Sequence, residues 1–305
     1  IRAGRARPGI LSLIEVAGKK HNTMKASDLG YVIGPRLNAA GRLDDMSLGV
    51  DCLLSTNRQA ALKISHQLDN LNVERRALET QMQEQAFAAL DALHFEDELP
   101  FGVCVYKEGW HQGIIGLVAA RVKEKLHCPV IAFADETETT IKGSARSVSG
   151  LHIRDALDLI AKRHPTILSK FGGHAMAAGL SIEKKDYATF SKIFDEIVRE
   201  LVSNERLEAT VLSDGELAKE HFNLQTANML RQAGPWGQGF PEPLFDGEFS
   251  IVEQRIVGER HLKLLLKAPD CEYSIDAIAF NVDTKKWPNE RCASIKAAYR
   301  LDINY

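Results

Sequence analysis

The stretch "FGVCVYKEGWHQGIIGLVAARVKEKLHCPVIAFA", residues 101–134, decides the fold of the middle of the chain. Its two ends, "FGVCVY" (101–106) and "PVIAFA" (129–134), are short apolar runs typical of buried strands. The segment between them, "GIIGLVAARVKEKL" (113–126), indicates a helix. A strand, a helix and a second strand in succession predict an α/β domain.

The alternation continues toward the C-terminus. "TTIKGSARSV" (139–148) predicts a third strand that runs into a loop, and helices are predicted in "HIRDALDLIAKR" (152–163) and "DYATFSKIFDEIVRELV" (186–202). From about Leu207 the pattern changes to short strands separated by turns, ending with "CASIKAAYRL" (292–301). Such a series predicts a small β-barrel, with an OB-fold as the first candidate.

On the N-terminal side, the residues from Thr56 to about His94 contain neither Gly nor Pro and have a Thr at the start. This pattern predicts one long helix. Its length favours a connector between domains over a part of one compact core, and a coiled-coil dimer is the alternative. Further upstream, Pro8 and Gly9 precede "ILSLIEVA", which predicts a short amphipathic helix.

Composition excludes several classes of protein. With 305 residues, 45% hydrophobic and 26% charged, the chain is typical of a folded protein of two or three domains. It has no apolar run long enough to span a bilayer and no signal segment, so we expect no membrane partner and a cytoplasmic location. The five cysteines are scattered and never form a Cys-x-x-Cys pair, which argues against disulfides and zinc sites.

Charge is divided unevenly along the chain. Residues 1–42 contain eight Lys or Arg and two acidic residues, a charge of +6, whereas the remainder carries −9. Segregation of this kind is typical of proteins that bind a polyanion, and a solvated basic face is the alternative. The chain starts without Met and ends in a predicted strand, so we expect it to be part of a longer protein.

Three clusters are candidates for phosphate binding. In "IGPRLNAAGRLDD" (33–45), Arg36, Asn38 and Arg42 supply planar donors, and Asn38 and Arg42 share a face if the segment is helical. The alternative is that these arginines pair with Asp44 and Asp45.

The second cluster is "KGSARS" (142–147), where Gly143 and Ala145 leave room for backbone amides while Ser144 and Arg146 offer donors. An ordinary Gly- and Ser-containing loop is the alternative.

The third cluster is "FGGHAMAAGLSI" (171–182). Gly172 and Gly173 lack Cβ atoms and would let backbone N–H groups approach an anion, and His174 would start a helix whose positive end favours phosphate. The small residues that follow would pack that helix closely. A glycine turn with a core histidine is the alternative.

Five motifs, taken together and in order, resemble the RecJ family of the DHH phosphoesterase superfamily. They are "GPRLNAAGRLDD" (34–45), "GWHQGIIGLVAARV" (109–122), "GSARS" (143–147), "FGGHAMAAGL" (171–180) and "PWGQGFPEPLF" (235–245). The resemblance covers nearly the whole chain. It implies the end of a DHH domain (1–55), a connecting helix (56–95), an α/β DHHA1 domain (96–204) and an OB-like single-strand-binding domain (205–305).

The resemblance also implies an activity, namely 5′-to-3′ hydrolysis of single-stranded DNA in recombination and repair. Family members hold two divalent metals, Mn²⁺ or Mg²⁺, on aspartates and histidines of the DHH domain. This chain lacks an Asp-His-His or Asp-x-Asp motif, so we expect no metal ligands in it, and we expect it to bind DNA without cleaving it. A catalytically inactive DHH-family single-strand-binding or scaffold module is the alternative, and the intact Gly-Gly-His and Ser-Ala-Arg elements favour the enzyme.

Individual roles follow from the same resemblance. His174 and Arg42 would act at the scissile phosphate, and the DNA or phosphate contacts would come from Arg36, Asn38, Ser144, Arg146, Gly172, Gly173 and His111. Ser144 and Arg146 would bind the terminal 5′ phosphate, although Ala145 stands where the family often has Gly. The implied partners are single-stranded DNA with a 5′ end, single-strand-binding protein and a recombination helicase.

The predicted β-barrel adds candidate contacts for stacking and for the phosphate backbone. They are Phe249, Arg255, Arg260, His261, Lys263, Tyr273 and Phe280. We expect about half of them to be buried, because a strand must also supply a core.

Overall fold

The computed structural model describes residues 1–92, 100–168, 170–202, 210–237, 239–269 and 271–304. The chain divides into two compact units, Ile1–Ala209 and Thr210–Tyr305. Within the described ranges, every helix is too short or too polar to cross a bilayer.

The first unit begins with helices. They are α1 (Pro8–Val16), α2 (Ala26–Asp28), α3 (Gly34–Leu43), α4 (Ser47–Leu54) and α5 (Arg58–Ala92). Pro8 occupies the first turn of α1, as predicted, because its missing N–H has no partner at that position in any helix. Helices α1, α3 and α4 pack around the first half of α5, where Leu13, Ile14, Cys52 and Leu68 are fully or almost fully buried.

Helix α5 is the long helix predicted from the absence of Gly and Pro. It starts two residues later than expected, because the Asn57 side chain accepts the N–H of Ala60 at 3.0 Å and caps the helix in place of Thr56. Its expected end at His94 lies outside the described residues. Leu68 is buried in the first core and Ala86 in a second core. The two halves of the helix therefore pack into two separate cores of one unit, and its role as a connector between domains stays a prediction.

The rest of the first unit is an α/β structure, as predicted. Its elements are β1 (Val103–Tyr106), α6 (Ile115–Leu126), β2 (Val130–Asp135), β3 (Thr140–Arg146), α7 (Ile153–Arg163), β4 (Lys170–Gly173), β5 (Ala177–Glu183) and α8 (Tyr187–Leu201). The strand order is β1-β2-β3-β5-β4. Strands β1 and β2 are parallel and joined through α6, and the remaining pairs are antiparallel.

The two faces of this sheet are covered differently. One face carries Ile131, Phe133 and Leu180 into a core shared with α7 and α8. On the opposite face, β1 and β2 carry Val105 and Val130 into a core formed with α6 and the second half of α5. This second cover ends over β3, where α6 contacts Ser144 and Arg146, so the rest of that face, formed by the start of β3 and by β5 and β4, lies open in the part of the chain that the structure describes.

The second unit is a four-stranded antiparallel sheet with a helix. It contains α9 (Leu224–Ala233), β6 (Phe245–Val257), β7 (His261–Lys267), β8 (Ile275–Ala279) and β9 (Ser294–Tyr299), in the strand order β8-β7-β6-β9. A bulge between Ile251 and Glu253 divides β6 into one half that pairs with β9 and another that pairs with β7. The predicted strands are confirmed, but the expected barrel is not closed, because β8 and β9 remain two separate edges of the described sheet.

Candidate nucleic-acid interface

The open half of the first sheet presents three cross-strand rows, because residues paired across antiparallel strands point to the same face. The first row joins Arg146 to Ala177, the second joins Ser144 to Gly179 and Gly172, and the third joins Lys142 to Ser181 and Lys170. We call these eight residues the open face. Its only apolar side chain is the methyl group of Ala177, and Lys142, Gly179, Gly172 and Lys170 are exposed.

The two glycines after Phe171 have different roles in the structure. Gly172 lies in the second row, and a Cβ on it would meet nothing within 4 Å. Gly173 has a φ of 149°, and a Cβ on it would collide with the backbone of Ala177 and Ala178. Gly173 is therefore required by the β4–β5 hairpin itself, whereas Gly172 keeps the surface of the sheet flat.

The prediction that His174 starts a helix is wrong. His174 begins the tight connection between β4 and β5, and its N–H donates to the Ala177 carbonyl at 2.8 Å. The small residues after it form strand β5, where alternate positions pack into the core and line the open face. The side chain of His174 is exposed, next to the row that contains Arg146 and Ala177.

Ser144 and Arg146 lie within strand β3 rather than in a loop. Gly143 and Ala145 point to the opposite face, where a Cβ on Gly143 would lie 2.6 Å from the Phe133 ring and Ala145 is fully buried. The expectation that these two small residues make room for a ligand is therefore wrong, because they make room for the core. Arg146 Nη1 donates to Ser144 Oγ at 3.0 Å and to the Ala145 carbonyl at 2.8 Å.

The N-terminal end of helix α6 lies over this pair. A Cβ on Gly116 would lie 2.6 Å from Arg146 Nη2 and 3.0 Å from Ser144 Oγ. The absence of a side chain at Gly116 therefore makes the space that the guanidinium group occupies. Because the helix dipole is positive at this end, the helix and Arg146 together favour an anion.

Arg42 and His111 reach the same end of α6 from the segments that precede it. Arg42 Nη1 donates to the Gly113 carbonyl at 3.1 Å, and a Cβ on Gly113 would collide with the Arg42 carbonyl. His111 Nδ1 accepts the Gly113 N–H at 3.1 Å, so the neutral ring carries its proton on Nε2 of an exposed side chain. The fold thus brings Arg42, His111, Ser144 and Arg146 together from segments far apart in sequence.

Arg36 and Asn38 occupy less direct positions. Segment 34–43 is helical, so Asn38 and Arg42 are one turn apart as expected, and Asn38 is exposed. Arg36 forms an ion pair with Asp69 of α5 at 2.9 Å and donates to the Val32 carbonyl at 2.7 Å. Among the described residues the alternative pairing with Asp44 or Asp45 is not found, but this guanidinium group is already neutralised within the helical core.

The electrostatics of this region favour an anionic ligand. Burial, followed by the charge of Arg42, lowers the pKa of Arg146, and burial also lowers the pKa of Arg75 on α5 despite its bond to Glu79. Arg42 contributes to lowering the pKa of Arg75 as well. Among the described residues, neither Arg42 nor Arg146 has a carboxylate partner, and guanidinium groups stay charged in proteins. A bound phosphate would offset this repulsion.

Sequence reasoning missed four residues here. Arg75 is one of many polar residues in a long helix, so the sequence does not distinguish it. Gly116 lies inside a helix, and only its contact with Arg146 explains why a glycine is needed there. Lys142 begins the second cluster but was given no role there, Lys170 is an isolated lysine, and only the strand register places the two in one row. The Gly116 signal was available, since Gly inside a helix is costly without a packing reason.

The residues that the structure describes do not form a metal centre. Nowhere among them do three His, Cys, Asp or Glu side chains converge as possible ligands. These residues therefore do not fit the two divalent metals that the family resemblance implies.

The second unit places its candidate contacts unevenly. Phe249 is buried in the core of the sheet against Phe222 and Tyr299, whereas Phe280 is exposed and its ring lies 5.3 Å from His261 in an edge-to-face arrangement. The remaining four are exposed or partly exposed, namely Arg255, Arg260, Lys263 and Tyr273. The expectation that about half of the seven are core residues is wrong, because only Phe249 is buried.

Two domain families match the sequence. The DHHA1 domain matches residues 100–200, which include the open sheet, and the RecJ OB domain matches residues 213–305. The two matches fall in the first and second unit respectively.

Relatives and solved structures agree with these matches. The single-stranded-DNA-specific exonuclease RecJ of Dickeya dadantii is 49% identical over 305 residues, which are 100% of this chain and 53% of that protein. The fold is similar to crystal structures of RecJ from Thermus thermophilus in complex with Mg²⁺ (TM-score 0.73, 23% identity, 97% of this chain and 43% of that chain) and with Mn²⁺ (TM-score 0.72, 24% identity, 97% and 41%). The chain spans about half the length of the curated relatives that it matches. It belongs to the RecJ family, of which it carries the DHHA1 domain and the RecJ OB domain.

Proposed function

We propose that this chain is the substrate-binding part of a single-stranded-DNA exonuclease that degrades DNA from the 5′ end in recombination and repair. One observation carries the proposal: Arg42 and Arg146 converge without a carboxylate partner in the described chain, beside a row of the sheet formed by the small residues Ser144, Gly179 and Gly172. The relatives named single-stranded-DNA-specific exonucleases support the substrate class. In this proposal the protein is cytoplasmic, and single-strand-binding protein and a recombination helicase are its protein partners.

Each part of the site has a role in this proposal. Arg146 and Ser144 bind the terminal 5′ phosphate at the end of α6, where a charge-assisted contact is strong because the guanidinium group is half-buried. Arg42 and His111 add donors from the facing segments. The strand lies over Gly172 and Gly179, and His174 stands beside it at the hairpin connection. Asn38 contacts the backbone of the DNA, while Arg36 holds α3 against α5.

We expect the isolated chain to bind single-stranded DNA without hydrolysing it. The phosphate-binding groups do not generate a hydroxide nucleophile at neutral pH, and the metal ligands belong, in this proposal, to the remaining length of the relatives. Nucleotide release from a 5′-phosphorylated single strand is measured with Mn²⁺ or Mg²⁺ present. Release at a rate comparable to that of a protein with the relatives' full length would contradict this prediction.

The decisive experiment concerns the 5′ end. In a protein of the relatives' full length, Arg146→Ala is expected to weaken binding of a 5′-phosphorylated oligonucleotide about tenfold or more, through loss of a charge-assisted hydrogen bond, and to change binding of the 5′-hydroxyl oligonucleotide far less. Binding is measured by fluorescence anisotropy on strands labelled at the 3′ end.

Two further variants separate binding from folding. Gly116→Ala places a methyl group where the Arg146 guanidinium lies and should reproduce the loss without changing Arg146 itself. Arg154→Ala removes an exposed arginine from α7, on the other side of the sheet, and should affect neither substrate. Equal weakening of both substrates by Arg146→Ala would assign this residue a purely structural role.

A further inference from the structure

The third row of the open face is a positively charged patch that the proposed function leaves without a role. Lys142 on β3 pairs with Ser181 on β5, and Ser181 pairs with Lys170 on β4. Neighbouring strands lie about 4.8 Å apart, so the Cα atoms of the two lysines are separated by about 10 Å with the serine midway. Because lysine side chains are long and flexible, both ammonium groups can reach an anion above the serine hydroxyl.

Neither lysine of this row has a carboxylate partner that would explain it. In the described part of the chain both side chains are exposed and neither forms an ion pair, whereas Lys184 nearby in the sequence binds Asp135 and Glu108. The next row on the same face joins Thr140 to Glu183 and so brings in a carboxylate. The positive patch is therefore short, and its two charges are free to bind an external anion.

The row lies on the side of the terminal-phosphate site that faces away from the cleaved bond. Lys142 precedes Ser144 by two residues on β3, a distance of about 7 Å. His174, which acts at the scissile phosphate in the proposed function, follows the last residue of β4, whereas Lys170 is the first residue of that strand. A DNA strand that runs from Ser144 toward His174 therefore leaves the third row unoccupied.

We propose that the third row binds the second and third phosphates of a 5′-triphosphate, so that the chain recognises single strands with triphosphorylated 5′ ends. The inference rests on the proposed function, because it takes Ser144 and Arg146 as the site of the first phosphate. In a triphosphate the two added phosphates are attached to the first on the side opposite the sugar. They extend away from the scissile bond and toward the lysines. A strand that is begun de novo, by a polymerase that needs no primer, carries such an end.

The dimensions of the open face suit two added phosphates. Gly143 lies between Ser144 and Lys142 in the sequence but points to the opposite face, so no side chain separates the two rows. The ammonium groups and the Ser181 hydroxyl supply charge-assisted and neutral donors to the added phosphates. Glu183, one row further, would repel a longer chain of phosphates. The patch therefore ends about where a triphosphate ends.

The test compares strands that differ only at the 5′ end. The probes are oligothymidines labelled at the 3′ end that carry a 5′ hydroxyl, a 5′ monophosphate or a 5′ triphosphate, and binding is measured by anisotropy without divalent metal. The unaltered chain is expected to bind the triphosphorylated strand about tenfold more tightly than the monophosphorylated strand. The double variant Lys142→Ala, Lys170→Ala should lose this preference and should bind the monophosphorylated strand within about fivefold of the unaltered chain, because exposed charges that do not touch the ligand are screened.

A second double variant controls for general electrostatic attraction. Arg154→Ala, Lys192→Ala also removes two positive charges, from exposed positions on α7 and α8 at the covered side of the sheet, and should keep the tenfold preference. Loss of the preference in this variant as well would contradict the proposal. If the alanine variant of the row loses thermal stability, Lys142→Gln, Lys170→Gln provides the same test with polar side chains of similar length.

A competition experiment distinguishes a strand end from a free nucleotide that has the same triphosphate. Thymidine 5′-triphosphate should displace the labelled monophosphorylated strand only at concentrations at least about tenfold higher than the unlabelled triphosphorylated strand, because the free nucleotide lacks the contacts of the following bases and phosphates. Displacement by both at the same concentration would assign the row to free nucleotides and overturn the proposal.

The outcomes also separate this inference from the function on which it rests. If the unaltered chain prefers a 5′ monophosphate to a 5′ hydroxyl but binds the monophosphorylated and triphosphorylated strands equally, the row does not bind the added phosphates and the inference is overturned alone. If the unaltered chain binds no single strand, or ignores the 5′ phosphate, the proposed function fails and the inference fails with it.

Discussion

Replacing Gly173 with alanine is expected to destabilise the first unit by about 2–4 kcal/mol and to lower its melting temperature by about 5–15 °C. The φ of 149° is strained for any residue with a Cβ, and that Cβ would collide with the backbone of Ala177 and Ala178 across the hairpin. The hairpin must therefore open or shift its register. Thermal unfolding, followed by circular dichroism, measures the effect.

The neighbouring glycine is the matched control. Gly172→Ala adds the same methyl group one residue earlier, where a Cβ would meet nothing within 4 Å. We expect the melting temperature to be unchanged or slightly higher, because glycine costs chain entropy in a strand, and we expect binding of single-stranded DNA to weaken. Equal melting temperatures for the two variants would show that the hairpin does not need Gly173.

The second large effect concerns His174. In a protein of the relatives' full length, His174→Ala should lower turnover on single-stranded DNA by about 10²–10³, which is typical for the loss of one donor that stabilises charge in a transition state. Affinity should change only a few-fold, because it is spread over many phosphates and bases. Turnover and anisotropy are measured on the same oligonucleotide.

A loss of folding is not expected to cause this effect. The His174 side chain is exposed, and its backbone N–H, which the variant keeps, is the group that donates within the hairpin. His66→Ala removes an exposed histidine from α5 and serves as the control, with no expected change in turnover. Normal turnover of His174→Ala would leave this residue as part of the hairpin connection only.

The roles of the two glycines could not be separated by sequence. Both are small, adjacent and next to a histidine, and the sequence favoured one reason for both, a close backbone approach to phosphate. The structure assigns Gly173 to the hairpin and Gly172 to the open face, because φ and the distance to the opposite strand differ between adjacent residues. A glycine needed for its positive φ and a glycine needed for an uncovered surface are the same residue type in the sequence.

The sequence by itself determined the alternation of strands and helices, the long helix α5 and the division between an α/β part and a strand-rich part. These features follow from local patterns: apolar residues at intervals of two or of three to four, and the absence of Gly and Pro over 35 helical residues. Such patterns act within a segment, so one segment is enough to detect them. The five motifs and their order likewise indicated the family from the sequence alone.

Only the tertiary structure decided which residues share the candidate site. Arg42 meets Gly113 across 71 positions, Gly116 makes space for Arg146, and Lys142 and Lys170 share a row only through β5. It also decided that Gly143 and Ala145 face the core and that the second sheet stays open in the described residues. These outcomes depend on strand register and on how far across the sheet α6 extends. Neither is encoded in a local pattern, because a shift of one residue would exchange the two faces of a strand.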